Sequence, residues 1–124
     1  MKKNYCNFKF DSDGLIPGEE YEGQIVRKRI QENIGGDDKL LIWVKLYQVK
    51  GMEFLYACRI SKSRNSRFYR LCNDLYLFND DGTVNLEEIQ IGDEVRCTFS
   101  EMEDGNFLIS TMEWIGELEE EKDE

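Results

Sequence analysis

Histidine is absent from this 124-residue chain, so the commonest general base and the commonest nitrogen ligand of metals are both missing. The four cysteines, Cys6, Cys58, Cys72 and Cys97, are scattered and form no Cys-x-x-Cys pair. The sequence therefore predicts neither a zinc ribbon nor a histidine-based metal site. We expect the cysteines to be small buried residues, kept reduced in a cytosol, rather than a disulfide framework.

Motifs of catalysis are also missing. The chain has no Gly-rich phosphate loop and no Gly-x-Ser-x-Gly nucleophile turn. Its 26 acidic residues fall in loops, on strands and in the C-terminal tail, and their spacing singles out no acid–base pair. We expect a protein that is not an enzyme and that needs no cofactor.

Long apolar runs are missing too, and only one proline, Pro17, is present. No continuous apolar segment follows the basic start, and no later one could cross a bilayer, so we expect a cytoplasmic protein with no membrane partner. Hydrophobic residues make up 40% of the chain, which is too many for intrinsic disorder. We predict one domain over residues 15–116, with an N-terminal extension over residues 1–14.

The net charge of −10 is unevenly distributed. Six acids stand against Lys122 in the last eight residues, a net of −5, and we expect residues 117–124 to be a disordered tail. The tail is similar to those of bacterial and phage single-strand-binding proteins, which recruit replication or recombination enzymes and compete with DNA for the basic groove, although it could also be only a solubilising end. The acids of this partner-binding tail are Glu117, Glu119, Glu120, Glu121, Asp123 and Glu124.

Positive charge is concentrated in two places. Residues 59–70 contain five cations and no acid, and Arg27-Lys28-Arg29 forms a second cluster. A cluster of positively charged residues either forms a solvated surface or marks a binding site for a polyanion.

Apolar periodicity predicts five strands and one helix, joined by turn-like segments rich in Gly, Asp and Asn. The predicted segments are strands over Tyr21–Glu32, Lys39–Val49 and Met52–Ile60, a helix over Arg67–Phe78, and strands over Asp93–Glu101 and Asn106–Trp114. Gly23 marks a bulge or a close approach of two strands. The order β-β-β-α-β-β predicts an all-β domain with one helix, an OB-fold-like five-stranded, partly open barrel. An SH3-like barrel and a small open sheet with one helix are the alternatives.

The succession of GLIPGEEYEGQI, LLIWVKLYQV, RFYRLCNDLYLF and DDGTVNLEEIQIGDEVRCTF resembles a family of small phage and prophage proteins described as single-stranded-DNA-binding-like. The resemblance covers most of residues 14–115. It implies an OB-like fold and a role in the DNA metabolism of a phage or mobile element. The acidic turn SEMEDG departs from the family, because a nucleic-acid-binding loop would use basic residues there.

Alternation assigns the two faces of the second and third strands. Ile42, Val44 and Leu46 should face the core, and Trp43 should lie on the outer face, where an OB-fold binds its ligand. Aromatic rings there could stack on bases while cations contact phosphates. The predicted nucleic-acid-binding residues are Trp43, Lys45, Tyr47, Arg59, Lys62, Arg64, Arg67, Arg27 and Arg29.

These features predict a protein that binds single-stranded DNA, or RNA, with little sequence preference. Alternatively, Trp43 and Tyr47 cover a second hydrophobic patch, under the N-terminal extension or a partner in a homodimer. A further alternative is an acidic protein-interaction module or DNA mimic, in which the aromatic strand face is a protein interface.

Overall fold

The computed structural model describes residues 15–49 and 51–115, and these form a mostly β structure with one helix. The elements are β1 (Tyr21–Gln31), β2 (Lys39–Leu46), β3 (Glu53–Arg59), α1 (Arg67–Asp74), a 3₁₀ turn (Leu86–Glu88), β4 (Glu94–Glu101) and β5 (Phe107–Trp114). The predicted order of strands and helix is confirmed. The N-terminal extension and the acidic tail predicted from the sequence lie outside the described residues.

All five strands belong to one open antiparallel sheet, in the order β3-β2-β1-β4-β5. The hairpin predicted between the second and third strands is present. Strand β1 lies at the centre of the sheet because it pairs with two strands. Its residues Tyr21–Gln24 pair with β4, and Gly23–Gln31 pair with β2. Helix α1 contacts the two edge strands, β3 and β5.

The core lies on the inner face of the sheet. In β2 every second residue is buried, namely Leu40, Ile42, Val44 and Leu46, and Trp43 between them is only half-buried. Phe54, Tyr56 and Cys58 of β3 are buried on the same side. The predicted alternation of these two strands is therefore confirmed.

Gly23 lies where β1 passes very close to β2. A Cβ atom at this position would collide with the Lys45 carbonyl oxygen and lie 2.9 Å from the Leu46 Cα. Because that contact is with backbone, it cannot be relieved by a side-chain rotation. Close approach, the second of the two roles predicted for Gly23, is confirmed.

The helix is shorter than predicted. It begins after Ser66, whose hydroxyl accepts a hydrogen bond from the Tyr69 N–H (3.0 Å), and it ends at Asp74 instead of Phe78. Tyr76 has a left-handed backbone (φ 58°), and the Leu77 N–H then donates to the Cys72 carbonyl (2.9 Å). This is the hydrogen-bond pattern of a Schellman motif, which here stops the helix without a glycine.

The three cysteines within the described residues are free and buried. Burial raises the pKa of Cys72 to about 11 and that of Cys97 to about 12, so both remain neutral thiols at physiological pH. Their burial as small apolar residues agrees with the prediction, and Cys6 lies outside the described residues.

Candidate nucleic-acid interface

A bulge in β1 sets which of its side chains face outward. The pairing with β2 shifts by one residue between Ile25 and Arg27, so Val26 is the extra residue. Uninterrupted alternation from the buried Ile25 would direct Arg27 and Arg29 into the core. After the bulge these two residues pair with outward-facing residues of β2 instead. Both arginines consequently lie on the outer face beside Trp43.

Lys28 shows the complementary effect of the bulge. It pairs with the buried Ile42 and therefore points to the inner side of the sheet. Its ammonium group donates hydrogen bonds to the carbonyls of Leu86 (3.0 Å) and Ile89 (2.6 Å). The three consecutive cations of this segment are thus divided between a structural contact and the outer face.

Trp43 forms the centre of the outer face together with its cross-strand neighbours. The Arg27 guanidinium carbon lies 4.4 Å from the centroid of the Trp43 ring, and Arg27 Nη2 donates to Glu53 Oε1 at 3.0 Å. The side chains of Arg27 and Glu53 remain 59% and 38% exposed. An exposed cation–π contact contributes about 0.5–1 kcal/mol, and an exposed ion pair about 0–1 kcal/mol. A nucleobase, contributing about 1–3 kcal/mol by stacking, could therefore replace the guanidinium on the ring.

Further cations surround Trp43 on this face. Lys45 pairs across the sheet with Glu53, and Lys39 pairs with Arg59, so all of them project from the same surface. The ion pair from Arg59 to Asp37 is long, at 4.0 Å, between side chains that are 73% and 60% exposed. Such a pair is weak and leaves the cation available to a phosphate. We call Arg27, Arg29, Lys39, Trp43, Lys45 and Arg59 the basic face.

Tyr47 lies just beyond the end of β2 and connects this strand to β4 and β1. The residue is 49% exposed, and its hydroxyl donates to Glu94 Oε2 of β4 (3.0 Å). Its backbone N–H donates to the Glu22 carbonyl of β1 (3.0 Å). The hydroxyl is therefore held at β4, while about half of the residue's surface remains exposed.

Arg67, predicted as a phosphate contact, connects the two edges of the sheet. Its guanidinium donates to the Ala57 carbonyl of β3 (2.9 Å) and to the Ser110 carbonyl of β5 (3.3 Å), and it lies over the Tyr56 ring at 4.7 Å. The buried Tyr56 hydroxyl has a raised pKa, chiefly because of desolvation. Arg67 thus links β3 to β5, where no strand ladder connects them, and it has a structural role that the sequence did not indicate.

Lys62 and Arg64 lie apart from the basic face. Both belong to the loop between β3 and α1, and they line a groove between this loop and the turn at residues 79–84. The structure thus brings Arg27, Arg29, Trp43, Lys45 and Arg59 together and leaves Lys62 and Arg64 in a neighbouring groove.

An acidic face, which sequence reasoning did not identify, occupies the outer side of β4 and its neighbours. Its centre is Arg96, which contacts Glu113 (3.3 Å), Glu22 (3.5 Å) and Glu20 (3.7 Å). Glu94 precedes Arg96 by one pleat and accepts the Tyr47 hydrogen bond. The regular spacing of Glu20, Glu22, Glu94 and Arg96 could have indicated this surface. We call these residues, with Glu113, the acidic face.

Comparison of the chain with known proteins gives no family assignment: no family model matches it, and no curated protein matches it significantly. Within residues 15–49 and 51–115 there is no group of three or more Cys, Asp or Glu side chains arranged to hold a metal ion. The same residues contain no helix with the length and apolarity needed to span a membrane. The tail acids Glu117–Glu124 lie outside the described residues.

Proposed function

We propose that this protein binds single-stranded nucleic acid, DNA in the first place, through the basic face and without enzymatic activity. The observation that carries the proposal is the Arg27 guanidinium stacked on Trp43, with Lys45 and Arg59 on the same surface. A π-face for bases surrounded by cations for phosphates is the arrangement that binds single strands with little sequence preference.

The proposed fold is an OB-like barrel that is open between β3 and β5. The strand order β3-β2-β1-β4-β5 supports it, as do the helix between β3 and β4 and the Arg67 hydrogen bonds across the open edge. In such a barrel the outer surface of β2 and β3 is a common binding surface for oligonucleotides. Trp43 and Arg59 lie on that surface. The resemblance to phage single-stranded-DNA-binding-like proteins supports a role in phage or mobile-element DNA metabolism.

The proposal is tested by titrating labelled oligo-dT with the full chain and with Trp43→Ala. We expect the substitution to weaken binding by about 1–3 kcal/mol, because a stacked base loses its platform. Thr111→Val is the matched control: Thr111 is exposed on β5, and its hydroxyl bonds only to Thr98 among the described residues. Equal affinities for the three proteins would refute the stacking role. Thermal unfolding of Trp43→Ala should remain cooperative, since Trp43 is only half-buried.

A second candidate function is docking to a basic protein through the acidic face. The grouping of Glu20, Glu22 and Glu113 around a single arginine, with Glu94 on the same strand as that arginine, favours it. In that case the full chain and a form lacking residues 117–124 should both fail to bind oligonucleotides at low salt. The two functions are therefore separated by the same titration.

A further inference from the structure

A second groove lies between the β3–α1 loop and the turn at residues 79–84. Its volume is about 450 Å³, within the range of pockets that hold small organic ligands. Its walls combine two cations with apolar side chains, mostly aromatic. The residues that matter here are Lys62, Arg64, Phe68, Tyr69, Phe78 and Val84.

Two aromatic rings of this groove form a small platform. The Tyr69 and Phe78 centroids are 5.2 Å apart at an interplanar angle of 53°, and Phe78 is 36% exposed. Phe78 is in this position because the helix ends before it and the chain forms a bridge with Val84. An aromatic ring that is partly open to solvent in a groove offers a π-surface to a flat ligand.

The charges of the groove suit an anion next to that ring. Lys62 and Arg64 are exposed, and neither forms an ion pair within the described part of the chain. Asp80 also lines the groove, so its walls carry two positive charges and one negative charge. This net positive potential is local, in a protein whose total charge is −10.

The groove continues into the basic face. An adjoining depression of about 480 Å³ is lined by Lys39 and Arg59 of the basic face, by the acid Asp37, and by Ser61. Ser61 lines the groove as well. A single strand leaving Trp43 could therefore pass Arg59 and Ser61 and enter the groove without crossing the acidic face.

We propose that this groove is a second nucleotide site for the same single strand, with a base against Phe78 and Tyr69 and phosphates at Lys62 and Arg64. The proposal rests on the proposed function, because the strand reaches the groove from the basic face. It assigns Lys62 and Arg64 to one segment of the ligand and Trp43 to another.

The test compares two oligo-dT lengths, about 5 and about 15 nucleotides, chosen at the two ends of the site sizes of single OB-folds. Phe78→Ala should weaken binding of the longer oligonucleotide by about 5- to 150-fold and leave the shorter one unchanged. Ile91→Ala, at an exposed apolar residue outside the groove, is the control and should change neither.

A double variant, Lys62→Gln with Arg64→Gln, should change stability little because both side chains are exposed. Its salt dependence for the longer oligonucleotide should be shallower by about 1.4 in logarithmic slope, since two contacts of about 0.7 each are lost. Photocrosslinking of the unmodified protein to an iodouracil-substituted 15-mer should label Tyr69 or Phe78.

Results that overturn this proposal differ from those that overturn the proposed function. One such result is an unchanged affinity of Phe78→Ala and an unchanged salt slope of the double variant for the longer oligonucleotide. If Trp43→Ala still weakened binding of both lengths, this result would refute the groove proposal alone. Equal losses of affinity for both oligonucleotide lengths in Phe78→Ala would also contradict a second site, because the groove would then be the primary site. A wild-type chain that binds neither length would remove both proposals.

Discussion

Two arginines on the outer side of the sheet, Arg27 and Arg96, have opposite surroundings. Arg27 lies on an indole ring and touches one carboxylate, and its side chain is 59% exposed. Arg96 contacts three carboxylates within 3.7 Å, and its side chain is 34% exposed. The charge of Arg96 is therefore more than compensated locally, whereas that of Arg27 is available to a polyanion that displaces it from Trp43.

This difference explains how a chain with a net charge of −10 could hold the polyanion that we propose as its ligand. What matters is the number of acids beside each cation, because exposed charges interact appreciably only within about 8–10 Å at physiological salt. The bulge at Val26 creates this separation by turning Arg27 and Arg29 toward Trp43. Among the described residues, Glu53 and Asp37 form ion pairs with two different cations of the basic face, whereas three carboxylates contact the single cation Arg96.

The largest expected difference between the faces is in the salt dependence of binding. Replacing Arg27, Lys45 and Arg59 together by Gln should make the logarithmic slope for oligo-dT shallower by roughly 2, at about 0.7 per lost phosphate contact. Arg96→Gln should leave the slope unchanged, because the Arg96 charge is already neutralised. The measurement is affinity at four or more salt concentrations. Equal slopes for the triple variant and Arg96→Gln would remove the distinction between the two faces.

The free energy of unfolding should depend more on Arg96 than on Arg27, the reverse of the effect on binding. Arg96→Ala leaves three carboxylates without their shared cation, and we expect it to lower the free energy of unfolding by about 1 kcal/mol. Arg27→Ala removes one exposed ion pair and one ring contact, and should cost about 0.5–1 kcal/mol. Urea unfolding at low salt and at 1 M salt measures both. The Arg96 effect should shrink at high salt because repulsion between the carboxylates is screened, and a loss independent of salt would contradict this explanation.

Tyr47, at the boundary between the two faces, should show a smaller effect that depends on which part of the side chain is removed. Tyr47→Phe removes the hydrogen bond to Glu94 and keeps the ring, so oligo-dT affinity should stay the same. Tyr47→Ala also removes the ring and should weaken binding by about 1 kcal/mol if the ring stacks on a base. Equal affinity for the two variants would exclude Tyr47 from the interface.

The smallest expected effect belongs to the acidic C-terminal residues. Deleting Glu117–Glu124 removes a net charge of −5, because Lys122 offsets one of the six acids. If this segment competes with nucleic acid for the basic face, its deletion should raise affinity at low salt and have no effect at high salt. An affinity at low salt that is no higher than that of the full chain would exclude the competition.

The order of the elements along the chain and the faces of β2 and β3 could be predicted from the sequence, because no bulge interrupts the pairing of these two strands. The faces of β1 could not be predicted by simple alternation, since a bulge reverses the two sides after Ile25. A usable signal was present: charged residues at 27 and 29 would otherwise have to be buried, which is costly. The cost of burying these two charges indicates an extra residue in the strand before Arg27.

Other features depend on contacts between distant parts of the chain. The helix ends at Asp74 with a tyrosine in the left-handed region, where the sequence offers no glycine as a signal. Arg67 belongs to a basic cluster in the sequence, yet its partners are backbone carbonyls of β3 and β5, which carry no sequence pattern. Similarly, the ring platform of Tyr69 and Phe78 arises only because the chain leaves the helix before Phe78.

Binding of nucleic acid at the basic face can be followed with Trp43 as its own reporter. The chain has two tryptophans, so Trp114→Phe leaves Trp43 as the only one, with a phenyl ring retained beside Tyr76. Titration of this variant with oligo-dT at low salt should give saturable quenching of Trp43 emission, reversed by added salt, as a base replaces Arg27 on the indole. Trp43 emission that stays unchanged at oligo-dT concentrations far above those expected for binding would contradict the claim that the basic face binds nucleic acid.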